Sequence, residues 1–267
     1  MHSHEHALTD WQQALGRFHI LLPGIPAVTS RGWLAYCTTV LFRLKGHWAL
    51  YDTGHYSDRS QLLAALAKVQ VRPDEIYTVI LSHLHFDHVL NLPLFGNATV
   101  VVAQAELDYA RDVAAGTRQD HAIPETWPAL LKDRNLHVVD GSTVLDDGME
   151  AVVLPGHTPG CLVLFCDAPV PVALCGDALK NAWELFSPAS VVTPVDDAHR
   201  LAGIAAIRAR AQVVIPGHDR PFGMVSGGLC YLSGYDFTIT GDLFPEPRNR
   251  VLLDLPMTAG LRRRPEK

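Results

Sequence analysis

The stretch "VILSHLHFDHVLNL" (residues 79–92) sets three histidines and an aspartate within six residues, His83 to His88, between two apolar runs. Groups of this kind stay at a protein surface unless something pairs with them. The stretch is therefore either a solvated polar loop or a metal site, and its spacing bears on the choice. His83 and His85 are two residues apart, so in an extended segment both side chains point the same way and can share one ion. Asp87 and His88 follow where the chain is expected to turn into a helix beginning near Val89, and a turn can aim both at a second position. Neutral imidazole and carboxylate are the ligands expected for zinc and similar divalent ions.

The same device recurs along the chain: an apolar, strand-like run ends in a short polar punctuation. The punctuations are "DTG" (52–54), "SHLHFDH" (82–88), "PGHTPG" (155–160), "GDALK" (176–180) and "PGHD" (216–219). If the strands lie side by side, these tips converge at one edge, where active sites commonly sit. His157, Asp177 and His218 then complete two coordination shells. Taken singly, each has a plain reading as a turn histidine, a helix cap or a loop residue. Taken with the run at 83–88, chance accounts poorly for all of them.

The strand runs are "RFHILLPG", then "AYCTTVLFRL" and "HWALYDTG" joined at Lys45-Gly46, then "IYTVILSH" and "TVVVA". "LHVVD", "MEAVVLPG", "CLVLFCD", "PVALCGD" and "QVVIPG" follow in the second half. Helical spacing marks "SDRSQLLAALAKV", with Ser57 or Asp58 as N-cap and Leu62, Leu63, Leu66 and Val69 on one face. "QAELDYARDVAA" and "DDAHRLAGIAAIRARA" are the other helices. Strands and helices alternate in both halves around a central run of strands, which predicts sheets covered by helices in an α/β or α+β layered architecture. Residues 115–135, which include Trp127, read as an irregular or short-helical insertion. The tail, with Tyr231 and Tyr235, carries little pattern.

Composition narrows the function. The chain has 267 residues, 48% hydrophobic and 19% charged, with no repeat or linker-like run, and reads as one domain over 1–267. Its net charge of −6 argues against a nucleic-acid partner, since phosphate contacts need clustered Lys and Arg. The one basic cluster, "LRRRPEK" at the end, reads as a solvated tail. Five cysteines (Cys37, Cys161, Cys166, Cys175 and Cys230) with no CxxC fit reduced thiols and a cytoplasmic setting. Cys161, Cys166 and Cys175 lie in strand-like runs and are expected to act as small hydrophobes. The N-terminus, with His2, His4 and His6, has no secretory signal and reads as a frayed end. No apolar run reaches the ~20 residues of a membrane span.

"YDTG", "SHLHFDH", "PGHTPG", "GDALK" and "IPGHD", in this order and spacing over residues 17 to 222, resemble the metallo-β-lactamase superfamily. The resemblance implies a four-layer αββα sandwich of two mixed β-sheets flanked by helices, with a core at about 17–222 and a C-terminal extension at 223–267. It also implies two divalent metal ions at one edge, zinc by default, with iron, manganese or cobalt as alternatives. His83, His85 and His157 would hold the first ion and Asp87, His88 and His218 the second, with Asp177 bridging them. Asp52 resembles an aspartate that orients a ligand from behind.

His88 together with a bridging Asp177 departs from the true β-lactamases and fits the hydrolase branches. "HLHFDH" in a chain of this length is closest to the N-acyl-homoserine-lactone lactonases and their relatives. Those lactonases usually carry a tyrosine three residues after the bridging aspartate, where this chain has Lys180. A lysine there could donate to a carbonyl oxygen or pair with a substrate carboxylate; the plain alternative is a surface lysine on a loop. The expected chemistry is hydrolysis of a small ester, a lactone foremost. Two ions bring the pKa of a bridging water towards ~7, so that hydroxide attacks the carbonyl while Asp87 shuttles protons. The alternatives are a glyoxalase II-like thioesterase, a phosphodiesterase or nuclease, and a metal-binding or redox protein without hydrolysis. Oligomeric state is open between monomer and homodimer.

Overall fold

Side chains alternate along a strand, so a chain that must bury both faces of a sheet builds a layer on each side of it. The computed structural model describes residues 2–29, 32–34, 36–167, 169–186, 195–225, 228–242 and 247–255. Helix α1 (His2–Leu15) leads into β1 (His19–Leu22), the short pair β2 (Val28–Thr29) and β3 (Gly32–Trp33), and the strands β4 (Thr39–Leu44) and β5 (His47–Tyr51). Then come α2 (Arg59–Lys68), β6 (Ile76–Ile80), α3 (Phe86–Val89), β7 (Thr99–Ala103), α4 (Gln104–Ala114), α5 (Trp127–Leu131) and β8 (Leu136–Val139). The second half holds β9 (Ser142–Asp146), β10 (Met149–Val153), β11 (Leu162–Cys166), β12 (Val172–Gly176), α6 (Asp197–Arg210), β13 (Val213–Pro216), β14 (Phe222–Val225) and β15 (Gly228–Tyr231). It closes on a hairpin of β16 (Tyr235–Asp242) and β17 (Pro247–Leu255).

Two mixed sheets result. The first has the order β1-β4-β5-β6-β7-β8, the second β15-β14-β13-β12-β11-β10-β9. In the first, β5 to β8 run parallel while β1, β4 and β5 pair antiparallel. In the second, only β12 and β13 are parallel. Val40, Phe42, Tyr51, Ile80, Val101 and Ala103 of the first sheet meet Ala151, Leu162, Leu164, Leu174, Val213 and Ile215 of the second in one buried cluster. Their strand neighbours Leu41, Leu50, Val79, Val100 and Val102 turn the other way and pack under α2, α4 and α5 through Leu62, Leu66, Leu107, Ala110, Trp127 and Leu131. Beyond the second sheet, Val163, Phe165, Ala173 and Val214 pack with Ile204 and Ile207 of α6. The layers are helix, sheet, sheet, helix, the αββα order expected.

Local chemistry agrees at several joints. Lys45 and Gly46, at φ 50° and 80°, form the two-residue turn between β4 and β5, both in the left-handed region that such turns require. Leu62 and Leu66 of α2 are fully buried, but Leu63 points outward at 37% exposure, so the apolar stripe is narrower than the spacing suggested. Cys161, Cys166 and Cys175 are buried free thiols packed as apolar residues.

Two expectations change. The N-terminus is not frayed but helical, because Ala7, Leu8, Trp11, Ala14 and Leu15 share a face that packs into the central core. Trp11 lies against Gly223, where an added Cβ would come within 2.2 Å of its ring. The start of the tail, left without pattern, supplies strands β14 and β15 at the edge of the second sheet. The side chains of His2, His4, His6 and Tyr235, and the segment "LRRRPEK", lie outside the described residues. Among the described residues, no helix is long and apolar enough to cross a membrane.

Candidate metal centre

The strand tips do converge. Asp52 follows β5, Ser82 and His83 follow β6, His157 lies in the loop between β10 and β11, Asp177 follows β12, and His218 follows β13. Helix α3 begins at Phe86, three residues earlier than expected, so Asp87 and His88 stand within its first turn, with His85 extended just before it (φ −67°, ψ 150°).

Among the described residues, four groups have donor atoms within 4.8 Å of one another: His83, His85 and His157; His83, His88 and Asp177; Asp87, His88 and His218; and, behind His88, Cys37, Asp52 and His88. His85 Nδ1 and His157 Nε2 are 3.0 Å apart. Asp177 stands between the two sides. Its Oδ2 is 3.2 Å from His157 Nε2, and its Oδ1 is 3.2 Å from His218 Nε2 and 3.4 Å from His88 Nε2. Asp87 Oδ2 is 3.4 Å from His218 Nε2 and 3.6 Å from His88 Nε2. All seven expected residues therefore meet at one place.

The donor set fits divalent cations. His83 Nε2, His88 Nε2 and Asp177 Oδ1 are buried and make no hydrogen bond, a costly condition for polar atoms unless a cation pairs with them. Burial holds His83 and His157 well below the usual imidazole range, which favours the neutral form that ligates metals. Burial would push the Asp177 carboxyl up, but His218, His88 and His157 outweigh it and hold it well below its usual range. His218 shows the complement: burial disfavours its charge, yet Asp177 and Asp87 raise it above the ordinary value. The pocket around Asp177 stabilises positive charge.

A second layer of groups aims these side chains. Asp52, buried and at φ 57°, accepts from Ser82 N–H at 2.7 Å and from the Ser82 hydroxyl at 2.8 Å, and its Oδ2 faces His88 Nδ1 at 2.8 Å. Asp52 thus faces His88, one of the expected ligands, from behind. Gly176 must be glycine: its φ is 47°, and a Cβ there would meet the Ser82 Cβ at 2.3 Å. His218 Nδ1 lies 3.0 Å from the Tyr36 carbonyl.

Lys180 is not a surface lysine. Its side chain is 9% exposed, its Nζ is 3.8 Å from Glu184 Oε1, and Nζ makes no hydrogen bond. Its main chain also supports the site: Lys180 N–H donates to Glu184 Oε2 at 2.9 Å, and its carbonyl accepts from His218 N–H at 2.6 Å. Trp127, in the 115–135 insertion, belongs to the core under the first sheet. Tyr231 donates to Asp219 beside His218, at 3.0 Å.

Sequence reasoning passed over Glu106. It is fully buried on α4, and its carboxylate accepts from Leu84 N–H at 2.9 Å, the Thr158 hydroxyl at 2.6 Å and Gly160 N–H at 3.2 Å. One side chain thus fastens the His83–His85 loop to the His157 loop. Burial pushes its carboxyl above the usual range despite these donors. The available signal was its position beside Leu107, Tyr109 and Ala110 on the buried face of α4. Glu106→Ala strips three buried donors of their acceptor at ~1–3 kcal/mol each. We expect stability to fall by at least ~3 kcal/mol, read as a lower urea midpoint at an unchanged slope. A loss below ~1 kcal/mol would mean that the loops are held by other contacts.

The model of the metallo-beta-lactamase superfamily matches residues 32–218. The chain is 28% identical over 190 residues to metallo-beta-lactamase domain-containing protein 1 of Xenopus laevis, covering 67% of this chain and 69% of that protein. It is 29% identical over 184 residues to the Mus musculus protein of the same name, covering 66% and 61%. An N-acyl homoserine lactonase of Bacillus sp is 27% identical over 124 residues, covering 46% of each chain. The matched stretch thus spans less than two thirds of the last two proteins. Among solved structures, a metallo-beta-lactamase-type protein of Thermotoga maritima superposes with a TM-score of 0.63 at 21% identity, covering 78% of this chain and 99% of that one. A quorum-quenching N-acyl homoserine lactone hydrolase gives 0.59 at 21% identity, covering 76% and 91%. At such identity the structural likeness speaks for the fold alone.

Proposed function

From the premise that the chain belongs to the metallo-beta-lactamase superfamily, we propose that it is a dinuclear metal-dependent hydrolase of a small ester, a lactone foremost. The observation that carries the reading is the meeting of two donor groups on Asp177. Similarity to N-acyl homoserine lactonases supports the substrate class. In this reading His83, His85 and His157 would hold one ion, Asp87, His88 and His218 the other, and Asp177 would serve both. Zinc suits this imidazole and carboxylate set. Two such ions would activate water near neutral pH and polarise a carbonyl oxygen.

The chain's own residues do the rest. Asp87 holds a carboxylate beside His88 and His218, where it can take a proton from the attacking water and return it to the leaving oxygen. The Lys180 ammonium, which makes no hydrogen bond and is close enough to lower the proton affinity of His157, binds the substrate's carbonyl oxygen or a carboxylate next to it. The net charge of −6 suits a small-molecule substrate better than a nucleic acid. Five free cysteines, four of them buried, suit a reducing compartment.

Metal-loaded protein should be assayed on N-acyl homoserine lactones, a glutathione thioester and bis-p-nitrophenyl phosphate. The expected result is the highest kcat/KM on lactones. A preference for the thioester or the phosphodiester would move the substrate class and keep the metal chemistry. Loaded protein silent on every member would overturn the hydrolase reading.

A further inference from the structure

His85 presents its two ring nitrogens to different partners. Nδ1 faces His157 Nε2 at 3.0 Å, and Nε2 faces Asp120 Oδ2 at 3.0 Å. Asp120 lies between α4 and α5, in the segment that carried no pattern in the sequence. Its Oδ2 also accepts from the Tyr109 hydroxyl at 2.8 Å, and its Oδ1 from Ala122 N–H at 2.9 Å. Phe86 N–H donates to the Ala122 carbonyl at 2.9 Å. Residues 120–122 thus grip His85 by its side chain and its neighbour by the backbone. Tyr109 stands on α4 one turn after Glu106, so a single helix braces all three loops around the three-histidine group.

The chemistry fixes a proton. An ionised carboxylate only accepts hydrogen bonds, so the imidazole nitrogen facing it must carry the hydrogen. Asp120 therefore selects Nε2–H on His85, and Nδ1 keeps the lone pair that faces His157. Tyr109 donates to the same carboxylate oxygen and keeps that oxygen in place.

We propose that Asp120, braced by Tyr109, is a positioning residue that locks His85 in its Nε2–H tautomer and so presents Nδ1 to the metal position shared with His83 and His157. This rests on the reading that those three histidines hold one ion.

The test uses the full chain and two readouts. Zinc affinity is measured at each position by competition with a chromogenic chelator, for the wild type, Asp120→Ala, Asp120→Asn and Tyr109→Phe. The His85 tautomer is read in metal-free protein from ring 15N shifts, with His85→Gln identifying the signal. Asp120→Ala should weaken one of the two zinc positions by about 10–100-fold, leave the other unchanged, and release His85 into a mixture of tautomers. Asp120→Asn, whose amide can donate to Nε2, should shift the tautomer the same way, and Tyr109→Phe should give a smaller loss of affinity. Wild-type affinity at both positions in Asp120→Ala and Asp120→Asn, with His85 still Nε2–H, would overturn the proposal. If Asp120→Ala does not fold, Asp120→Asn decides by the same criteria. A wild-type chain that binds zinc only at one position would instead sink the underlying two-ion reading, and the tautomer readout would still judge Asp120.

Discussion

Asp177→Ala is expected to lower lactone turnover by at least ~10³-fold and to leave the chain unable to hold two metal ions. Its two carboxylate oxygens reach toward both donor groups. Oδ2 lies 3.2 Å from His157 Nε2, while Oδ1 lies 3.2 Å from His218 Nε2 and 3.4 Å from His88 Nε2. Without the carboxylate, His157 loses the negative charge 3.2 Å away, and His88 and His218 are left with Asp87 as the acidic group facing their Nε2 atoms. The imidazoles still offer lone pairs, but less negative charge is left to offset two divalent ions, and the carboxylate between the two positions is gone. Asp177→Asn should keep the shape but lose the charge, and should resemble the alanine variant more than the wild type. Steady-state kinetics and metal analysis of the same preparations check this. Near-normal turnover in either variant would remove Asp177 from the centre of the mechanism.

Lys180→Met should lower kcat/KM by roughly 10²-fold, which is about 2.7 kcal/mol of transition-state stabilisation, with metal content unchanged. Metal should stay because Lys180 supports His218 and meets Glu184 through main-chain atoms that the substitution preserves. Methionine fills a similar volume without the ammonium. Neutral and carboxylate-bearing esters should be assayed side by side. A loss confined to the anionic esters assigns Lys180 to a substrate carboxylate, and an equal loss on both assigns it to the carbonyl oxygen. Unchanged kinetics on both would reduce Lys180 to a buried partner of Glu184, whose carboxyl burial pushes up and Lys180 pulls down.

The legible part of this protein lay in spacing along one strand end. His83 and His85 two residues apart, then Asp87 and His88 in a turn, constrain geometry within a few residues, where sequence and space coincide. The strands behind them were legible for the same reason, since alternation and apolar runs are local. What escaped was the layer behind the site. Glu106 sits 22 residues from the backbone it holds at Leu84 and 52 from Thr158, so its place on the apolar face of α4 hints at burial but not at the partners it holds. Asp120 reaches His85 across 35 residues from a stretch with no period to read. Lys180 followed a recognisable motif, but besides Glu184 four residues on it meets the His218 loop, which only the fold brings to it. The N-terminal helix is a different case: its stripe of Ala7, Leu8, Trp11, Ala14 and Leu15 has helical spacing in the sequence, but it follows alternating histidines that have none.

The most direct test of the central claim is the number of divalent ions held per folded chain, measured by elemental analysis before and after chelation, with lactone turnover followed in the same samples. The account predicts about two ions per chain, loss of turnover as chelator removes them, and recovery when one divalent metal is returned. Fewer than one ion in protein offered zinc, iron, manganese and cobalt, or lactone turnover that survives complete removal of metal, would contradict it.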